Sequence, residues 1–178
     1  MNELMSGKVA VGGPFTLPDT AGSRRSLAEF RGKLVLLYFG YVGCPDVCPT
    51  DLAIIGKAMR LLGERAADVQ PLFVTLDPVR DTPAVLREYL AAFDRRFIGL
   101  RGSDAEVRRV ARLYKVAARK VPGPGGAYFI DHGAFTFLLD CAGRYVAFLP
   151  PGTHADRMET VVRETLASPA CSVQGPGS

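Results

Sequence analysis

The sequence predicts an α/β protein with a central mixed sheet flanked by helices, and three observations support this prediction. Residues 34–39 form the most apolar run of the chain, which is typical of a buried strand. Helical and strand patterns then alternate over residues 49–100. Residues 128–149 contain three consecutive strand patterns. Strands that alternate with helices favour parallel pairing and the later strands favour antiparallel pairing, so one mixed sheet is expected.

Length and composition predict one domain with a full core. The chain has 178 residues, of which 48% are hydrophobic and 22% are charged. We expect the domain to span residues 12–167. The segments 1–11 and 168–178 are expected to be flexible termini, since the second is rich in Gly, Pro and Ser.

The charge pattern excludes some classes of partner. The net charge of +4 is spread along the chain in isolated pairs, such as Arg95-Arg96, so the basic residues predict solvated helix faces and no nucleic-acid surface. No run approaches the ~18 apolar residues of a membrane span, and residues 1–13 lack the pattern of a secretory signal. As given, the chain is expected to be soluble.

The first elements follow from strand and capping patterns. Residues 15–17 and the turn after them predict the first strand of a short edge hairpin, and Ser26 with Glu29 has the spacing of a capping box. The buried strand at 34–39 follows. Apolar positions then recur at helical spacing over 49–62, and a second apolar strand is predicted at 72–76. This is a βαβ unit, in which ligands usually bind beyond the carboxyl ends of the strands.

The middle of the chain predicts two more helices. Thr82 as N-cap followed by Pro83 begins the first, with an apolar stripe between Val85 and Phe93, and a short strand is expected at 97–100. The second helix begins with a capping box formed by Ser103 and Glu106 and runs through Tyr114. Two prolines and three glycines in residues 121–126 predict a flexible loop.

The last third predicts three strands, at 128–130, 135–139 and 145–149, and a closing helix at 155–166. The segment from Ser168 onwards is expected to be disordered. A parallel βαβ half, an interposed helix and strand, an antiparallel hairpin and a terminal helix occur in the order of a thioredoxin-like α/β sandwich. That fold carries many activities, so the function has to be argued from the site.

Cys44 and Cys48 mark the candidate site, because they follow the buried strand in a Gly/Pro-rich turn that begins a helix. The positive end of a helix dipole favours thiolate over thiol. Pro49 disfavours helical geometry at Cys48, so the helix is expected to begin at Pro49 with Cys48 near its N-cap. The spacing is compatible with a disulfide, with a metal site, and with two inert buried thiols or a passive staple. The state of Cys141 and Cys171 stays open.

His132 is the candidate third ligand. It is expected on a loop before the strand at 135–139, and in a thioredoxin-like sheet this loop packs beside the cysteine turn. Two thiolates and one imidazole suit Cu(I), while Zn²⁺ would accept them with a fourth ligand or water. Of these two metals, copper is the better fit to Cys44, Cys48 and His132 as ligands. His154 precedes the last helix and is expected to be a surface residue or the residue that begins that helix.

Several segments together resemble the Sco/SenC family over about residues 12–166. The matching segments are Gly12-Gly13-Pro14-Phe15, Tyr38-Phe39-Gly40-Tyr41, Cys44-Pro45-Asp46-Val47-Cys48-Pro49-Thr50, Asp77-Pro78 with Arg80-Asp81-Thr82-Pro83, and Asp131-His132. The chain departs from the family pattern at Val42-Gly43, where many relatives carry Thr-His, at Gly133, where Ser or Thr is common, and at Cys141, where the hairpin turn often has proline.

The resemblance implies copper bound by the two cysteines and His132. It also implies a role in delivering copper to the CuA site of cytochrome c oxidase, or in reducing the cysteines of that site. The expected partners are the copper-site subunit of the oxidase and other copper carriers. Family members face the periplasm or the mitochondrial intermembrane space from a single N-terminal anchor. Contact with a membrane is therefore expected only through such an anchor, which is absent from this chain.

Two hypotheses for function follow from the site. In the first, the chain is a copper-binding assembly factor, with Asp77 or Asp131 near the ligands as supporting or docking residues. In the second, it is a thiol–disulfide oxidoreductase in which the more exposed Cys44 attacks a partner's disulfide and Cys48 resolves the intermediate. A peroxidase is a remote third reading. Asp77 and Asp81 also fit ordinary turn and helix-start chemistry.

Overall fold

Residues 10–172 are described by the computed structural model of the chain. The strands are β1 (Thr16–Pro18), β2 (Arg24–Ser26), β3 (Leu34–Gly40), β4 (Val69–Thr75), β5 (Ile98–Leu100), β6 (Ala118–Pro122), β7 (Tyr128–His132), β8 (Thr136–Leu139) and β9 (Tyr145–Leu149). The helices are α1 (Val47–Leu61), α2 (Pro83–Ala91), α3 (Asp104–Leu113), α4 (Ala155–Leu166) and α5 (Pro169–Ser172). None of these helices is long and apolar enough to cross a membrane.

The fully buried strand β3 organises the main sheet, which has the order β5-β4-β3-β8-β9. β3 pairs in parallel with β4 and antiparallel with β8, so the predicted mixed sheet is confirmed. The register places Gly40, at the end of β3, beside Thr75, at the end of β4. The loops that follow these two strands therefore meet at the same edge of the sheet, where the candidate site lies.

The two faces of β3 are packed by different helices, because successive side chains of a strand point to opposite faces. The Tyr38 ring stacks on Phe73, and its hydroxyl donates a hydrogen bond to Asp51 of α1. The Phe39 ring packs against Tyr114, the residue that caps α3, and against Phe137 of β8. One core therefore packs α1 against one face of β3 and the end of α3 against the other.

Local capping patterns correctly predict the starts of α2 and α3. Thr82 caps α2 by accepting from the N–H of Val85, and Pro83 occupies the first turn. Ser103 and Glu106 form the predicted capping box of α3. Ser26 and Glu29 form another, at the 3-10 helix Leu27–Phe30. These caps satisfy backbone N–H groups that have no acceptor within their helices.

The sequence prediction missed β6 and was wrong about part of the loop at 121–126. Val121 and Pro122 belong to β6, which pairs antiparallel with β7 as a separate hairpin. The residues of β6 are mostly exposed and two of them are cationic. A strand with no buried face lacks the alternating apolar pattern by which strands are predicted, and it forms here because β7 supplies its hydrogen-bond partners.

The expectation of disorder from Ser168 onwards was also wrong as far as Ser172. This segment contains the short helix α5, and Cys171 within it forms a disulfide with Cys141 in the β8–β9 turn. A covalent tie orders a stretch whose composition alone would leave it unfolded. The other expectations of flexible termini, at 1–9 and 173–178, lie outside the described residues.

Candidate metal site

Three ligand atoms converge at the edge of the sheet. The Sγ atoms of Cys44 and Cys48 and a ring nitrogen of His132 lie within 4.8 Å of one another. Cys44 lies in the loop after β3, Cys48 in the first turn of α1, and His132 at the end of β7. The structure therefore brings together the three residues that the sequence predicted as a site.

Helix α1 begins earlier than predicted. Its N-cap is Asp46 and its first residue is Val47, so Cys48 is already helical, and the expected start at Pro49 was wrong. Pro49 is tolerated because it lies in the first turn, where a backbone N–H has no intrahelical acceptor to lose. The N–H of Cys48 lies 3.5 Å from the Sγ of Cys44, so the start of the helix holds the two cysteines together.

The two thiols differ in their surroundings. Cys48 is fully buried, whereas Cys44 retains 8% exposure and lines an open cleft. Burial, and next the hydrogen bond with Cys44, raise the pKa of the Cys48 thiol above its usual range. The expectation that the helix start would favour the thiolate was therefore wrong for Cys48, because desolvation outweighs the helix dipole when a sulfur is enclosed. A bound cation would compensate the negative charge of the buried Cys48 thiolate.

His132 is the last residue of β7, so the expectation of a loop position was wrong. The hairpin pairs it with Ala118, which fixes the backbone that carries the imidazole. The Nε2 atom lies 3.4 Å from the Sγ of Cys48, while Nδ1 is buried and makes no hydrogen bond within residues 10–172. Burial lowers the pKa of the imidazole, so the ring is neutral near pH 7, which is the form that binds metals.

The neighbouring Asp131 does not support the ring of His132. Its side chain is 70% exposed and faces the guanidinium of Arg119 at 3.7 Å. The buried Nδ1 of His132 makes no hydrogen bond with this carboxylate. Asp131 belongs to the surface beside the site.

Asp77 and Asp81 shape the loop after β4. The N–H of Asp81 donates to the carbonyl of Asp77, which is the predicted turn. The fully buried Asp77 carboxylate is bonded to the Arg80 guanidinium and accepts from the Tyr128 hydroxyl at 2.8 Å. The Arg80 guanidinium also lies 3.8 Å from the centre of the Tyr128 ring. Asp77 therefore ties this loop to the strand that carries His132.

Asp81 ties the same loop to the cysteine turn. Its carboxylate accepts from the Thr75 hydroxyl at 2.6 Å and from the N–H of Val42 at 3.0 Å. Burial raises the pKa of the Asp81 carboxyl, an effect that these two hydrogen bonds oppose. Because Val42 lies two residues before Cys44, this contact fixes the direction in which the cysteine turn leaves β3.

Sequence reasoning missed two tyrosines of the site, although both lie in the segment Tyr38-Phe39-Gly40-Tyr41. The Tyr41 hydroxyl accepts from the N–H of Ile130 at 3.1 Å, and its ring meets His132 edge-on with 5.9 Å between the ring centres. The Tyr38 hydroxyl donates to Asp51 at 3.1 Å, and Asp51 accepts from the N–H of Gly152 at 2.8 Å. The sequence could have indicated their role, because two tyrosines lie near the end of a buried strand and a buried tyrosine hydroxyl usually has a hydrogen-bond partner.

An open cleft gives access to the three ligands. It has a volume of about 560 Å³ and is bordered by Cys44, His132 and half-buried or exposed apolar side chains that include Val47 and Phe129. His154, by contrast, is the residue before α4 and does not belong to the ligand cluster, as predicted.

The donor set fits a soft metal ion. The two thiols can lose their protons, and the imidazole is already in the neutral form that binds metals. Thiolates together with imidazole select copper or zinc over hard cations. Within residues 10–172, this is the one group of three or more His, Cys, Asp or Glu side chains arranged to hold a metal ion.

A family model described as SCO1/SenC matches residues 4–167. The chain belongs to the SCO1/SenC family. The SCO2-like protein of Rickettsia felis is 41% identical over 140 residues, which cover 78% of this chain and 68% of that protein. The mitochondrial protein SCO1 of Saccharomyces cerevisiae is 40% identical over 143 residues, which cover 79% of this chain but only 48% of the yeast protein.

The fold agrees with this family assignment. The structure of Bradyrhizobium japonicum ScoI with copper bound has a TM-score of 0.82 at 39% identity, and the match covers 88% of this chain and 100% of that chain. The predicted thioredoxin-like α/β fold with a central mixed sheet is thereby confirmed.

Proposed function

We propose that this chain is a copper-binding assembly factor that holds Cu(I) through Cys44, Cys48 and His132 and delivers it to the CuA site of cytochrome c oxidase. The observation that carries the proposal is the convergence of the three ligand atoms within 4.8 Å. In support, B. japonicum ScoI is a relative with copper bound, at 39% identity.

The chemistry of the site favours Cu(I). Two thiolates and one imidazole form a soft set of few ligands, as Cu(I) prefers, and Zn²⁺ would require a fourth ligand. Each cysteine releases its proton when the metal binds. Burial raises the pKa of the Cys48 thiol, so the protonated form is favoured when no metal ion is bound, and a bound cation would stabilise the thiolate.

The site also suits transfer. Cys44 borders an open cleft, so a thiolate of a partner can approach the metal from that side and replace the protein's sulfurs one at a time. Members of the family take part in cytochrome c oxidase assembly. The partner proposed here is the copper-site subunit of that oxidase, with other copper carriers as the source of the metal.

The proposed location is the periplasm or the mitochondrial intermembrane space. The yeast relative is a mitochondrial protein. The Cys141–Cys171 disulfide supports the proposal, because disulfides persist in oxidising compartments and are rare in the cytosol.

An anaerobic titration of the reduced protein with Cu(I) against a competing chelator tests the proposal. We expect one-to-one binding that is weakened more than about tenfold in Cys44→Ala and in His132→Ala, since both remove a ligand. His154→Ala is the matched control, because His154 lies outside the ligand cluster, and it is expected to bind as the parent does. Weak binding that is indifferent to His132 would overturn the proposal.

A thiol–disulfide oxidoreductase is the second candidate, and the contact between the two cysteines favours it. The Cys44 Sγ lies 3.5 Å from the N–H of Cys48 and faces the cleft. Attack by the Cys44 thiolate on a partner's disulfide would form a mixed disulfide and release one partner thiol, and Cys48 would then displace the second. This activity needs no imidazole, so it would persist in His132→Ala with the rate of the parent.

A further inference from the structure

A second groove lies between helix α3 and strand β6, and none of the three candidate ligands lines it. The groove has a volume of about 590 Å³. Its floor is apolar and includes the buried side chains of Val107, Ala111 and Val116. Its rim carries four cations and one carboxylate: Arg108, Arg112, Arg119, Lys120 and Asp104.

Most of these cations are available to a ligand. Asp104 is paired with Arg108 within α3. Arg119 faces Asp131 at 3.7 Å, but the two side chains are 79% and 70% exposed, so this pair is weakly held. Arg112 is exposed and has no ion-pair partner within residues 10–172. The rim therefore keeps an excess positive charge above an apolar floor.

The groove adjoins the cleft beside the metal site. Arg119 and Ile130 border both of them. A polypeptide lying in the groove would therefore place its next residues at the cleft that Cys44 and His132 border. Lys120 borders the groove from the other face of the hairpin, because successive side chains of a strand alternate, and its ammonium lies 4.7 Å from the centre of the Tyr128 ring.

We propose that this basic groove binds an acidic polypeptide segment of the protein that exchanges copper with this chain, a proposal that rests on the proposed function. Carboxylates of the segment would meet the cationic rim while its apolar side chains cover the floor. A protein is the occupant that the position favours, because whatever exchanges a thiolate-bound metal at the adjoining cleft must itself bring metal ligands. A flat lipid surface cannot reach the floor of a groove, and a nucleic acid has no apolar side chain to cover it.

The first test uses the metal-free protein, so that it does not depend on copper. The probe is a short fluorescent Glu-rich peptide without cysteine, with a Gln-substituted peptide of equal length beside it, and binding is followed by fluorescence anisotropy. We expect the Glu peptide to bind and the Gln peptide to bind at least about tenfold more weakly, with the difference disappearing at high salt.

Three double variants provide the comparison. Arg112→Glu with Lys120→Glu reverses two charges of the rim and is expected to weaken binding of the Glu peptide by at least about tenfold. Arg109→Glu with Arg157→Glu changes the net charge equally at exposed positions outside the groove and is expected to bind as the parent does. Arg112→Gln with Lys120→Gln is a milder pair that should lose affinity in the same direction.

The outcomes separate this proposal from the proposed function. None of the three double variants changes a metal ligand, so Cu(I) affinity is expected to match the parent in all of them. Absent Cu(I) binding in the parent would overturn the proposed function while leaving the peptide result to stand. Equal binding of the Glu and Gln peptides, or equal loss in the groove and control variants, would overturn the groove proposal. Binding to phosphatidylglycerol vesicles without binding to the Glu peptide would show that the cationic rim contacts a lipid surface, and it would also overturn the groove proposal.

Discussion

The Nε2 atom of His132 lies 3.4 Å from the Sγ atom of Cys48, although the two residues are 84 positions apart in the chain. The contact exists because β7 ends beside the first turn of α1. Tyr41 holds β7 in that place, since its hydroxyl accepts from the N–H of Ile130 at 3.1 Å and its ring packs against the imidazole. The position of the third ligand therefore depends on a residue of the β3 end.

Tyr41→Phe is expected to loosen the third ligand. The variant leaves the buried N–H of Ile130 without its acceptor, which costs about 1–3 kcal/mol of unfolding free energy. Because β7 then moves more freely, Cu(I) affinity should fall by about tenfold. Urea unfolding of the metal-free protein and a Cu(I) competition titration measure the two effects. The control is Tyr145→Phe, which removes a half-buried hydroxyl far from the ligands; equal losses in both variants would contradict the role given to Tyr41.

Asp51→Asn is expected to change how stability depends on pH. Burial raises the pKa of the Asp51 carboxyl, while the N–H of Gly152 and the hydroxyl of Tyr38 oppose the rise. In the unfolded chain this carboxyl has a pKa of ~3.9, so it releases its proton at a lower pH than in the folded protein. Stability therefore falls as pH rises from the pKa of the unfolded chain to the pKa of the folded protein, and the loss persists at neutral pH.

The measurement is the urea midpoint of the metal-free protein from acid to neutral pH. Asparagine does not titrate, so Asp51→Asn should gain stability relative to the parent as pH rises, and Asp81, whose pKa burial also raises, keeps part of the dependence in both proteins. Asp156→Asn alters an exposed carboxyl and should follow the parent. A constant difference between Asp51→Asn and the parent across the range would show that Asp51 does not titrate in this interval.

Removal of the Cys141–Cys171 disulfide is expected to destabilise the fold without touching the metal site. The bridge closes a loop with a sequence separation of 30, and Cys171→Ser should lower the unfolding free energy by ~2–4 kcal/mol. The denatured, unreduced protein should show only the two free thiols of Cys44 and Cys48. Four thiols in that assay would contradict the bridge, and a matching loss of Cu(I) affinity would contradict its separation from the site.

The sequence predicts what depends on neighbours along the chain. The apolar strand β3, the caps at Thr82 and Ser103 and the cysteine turn all follow from residues within a few positions of one another. The same is true of two of the three candidate ligands, because Cys44 and Cys48 are only four positions apart. Their local pattern was sufficient to predict a reactive or metal-binding pair.

Most of what the sequence did not predict depends on contacts between distant residues, whereas the wrong start of α1 at Pro49 was a local error. β6 forms only because β7 pairs with it, and this pairing also extends β7 to His132. The bridge between Cys141 and Cys171 joins segments whose proximity no spacing rule gives. The raised pKa of Cys48 likewise follows from enclosure by the sheet, which the helix-start argument alone did not include.

Gly40→Ala is expected to displace the Cys48 sulfur. Gly40 ends β3, and a Cβ atom at this position would lie 2.9 Å from the Sγ of Cys48 and 3.1 Å from a ring carbon of Phe73. Such overpacking costs about 1–3 kcal/mol of unfolding free energy, and moving the sulfur away from His132 should weaken Cu(I) binding by at least about tenfold. Gly43→Ala is the matched control, since its Cβ would meet nothing closer than 3.7 Å, and it should bind Cu(I) as the parent does. Parent-like affinity in Gly40→Ala would mean that the close approach of backbone and sulfur at the end of β3 does not set the position of Cys48.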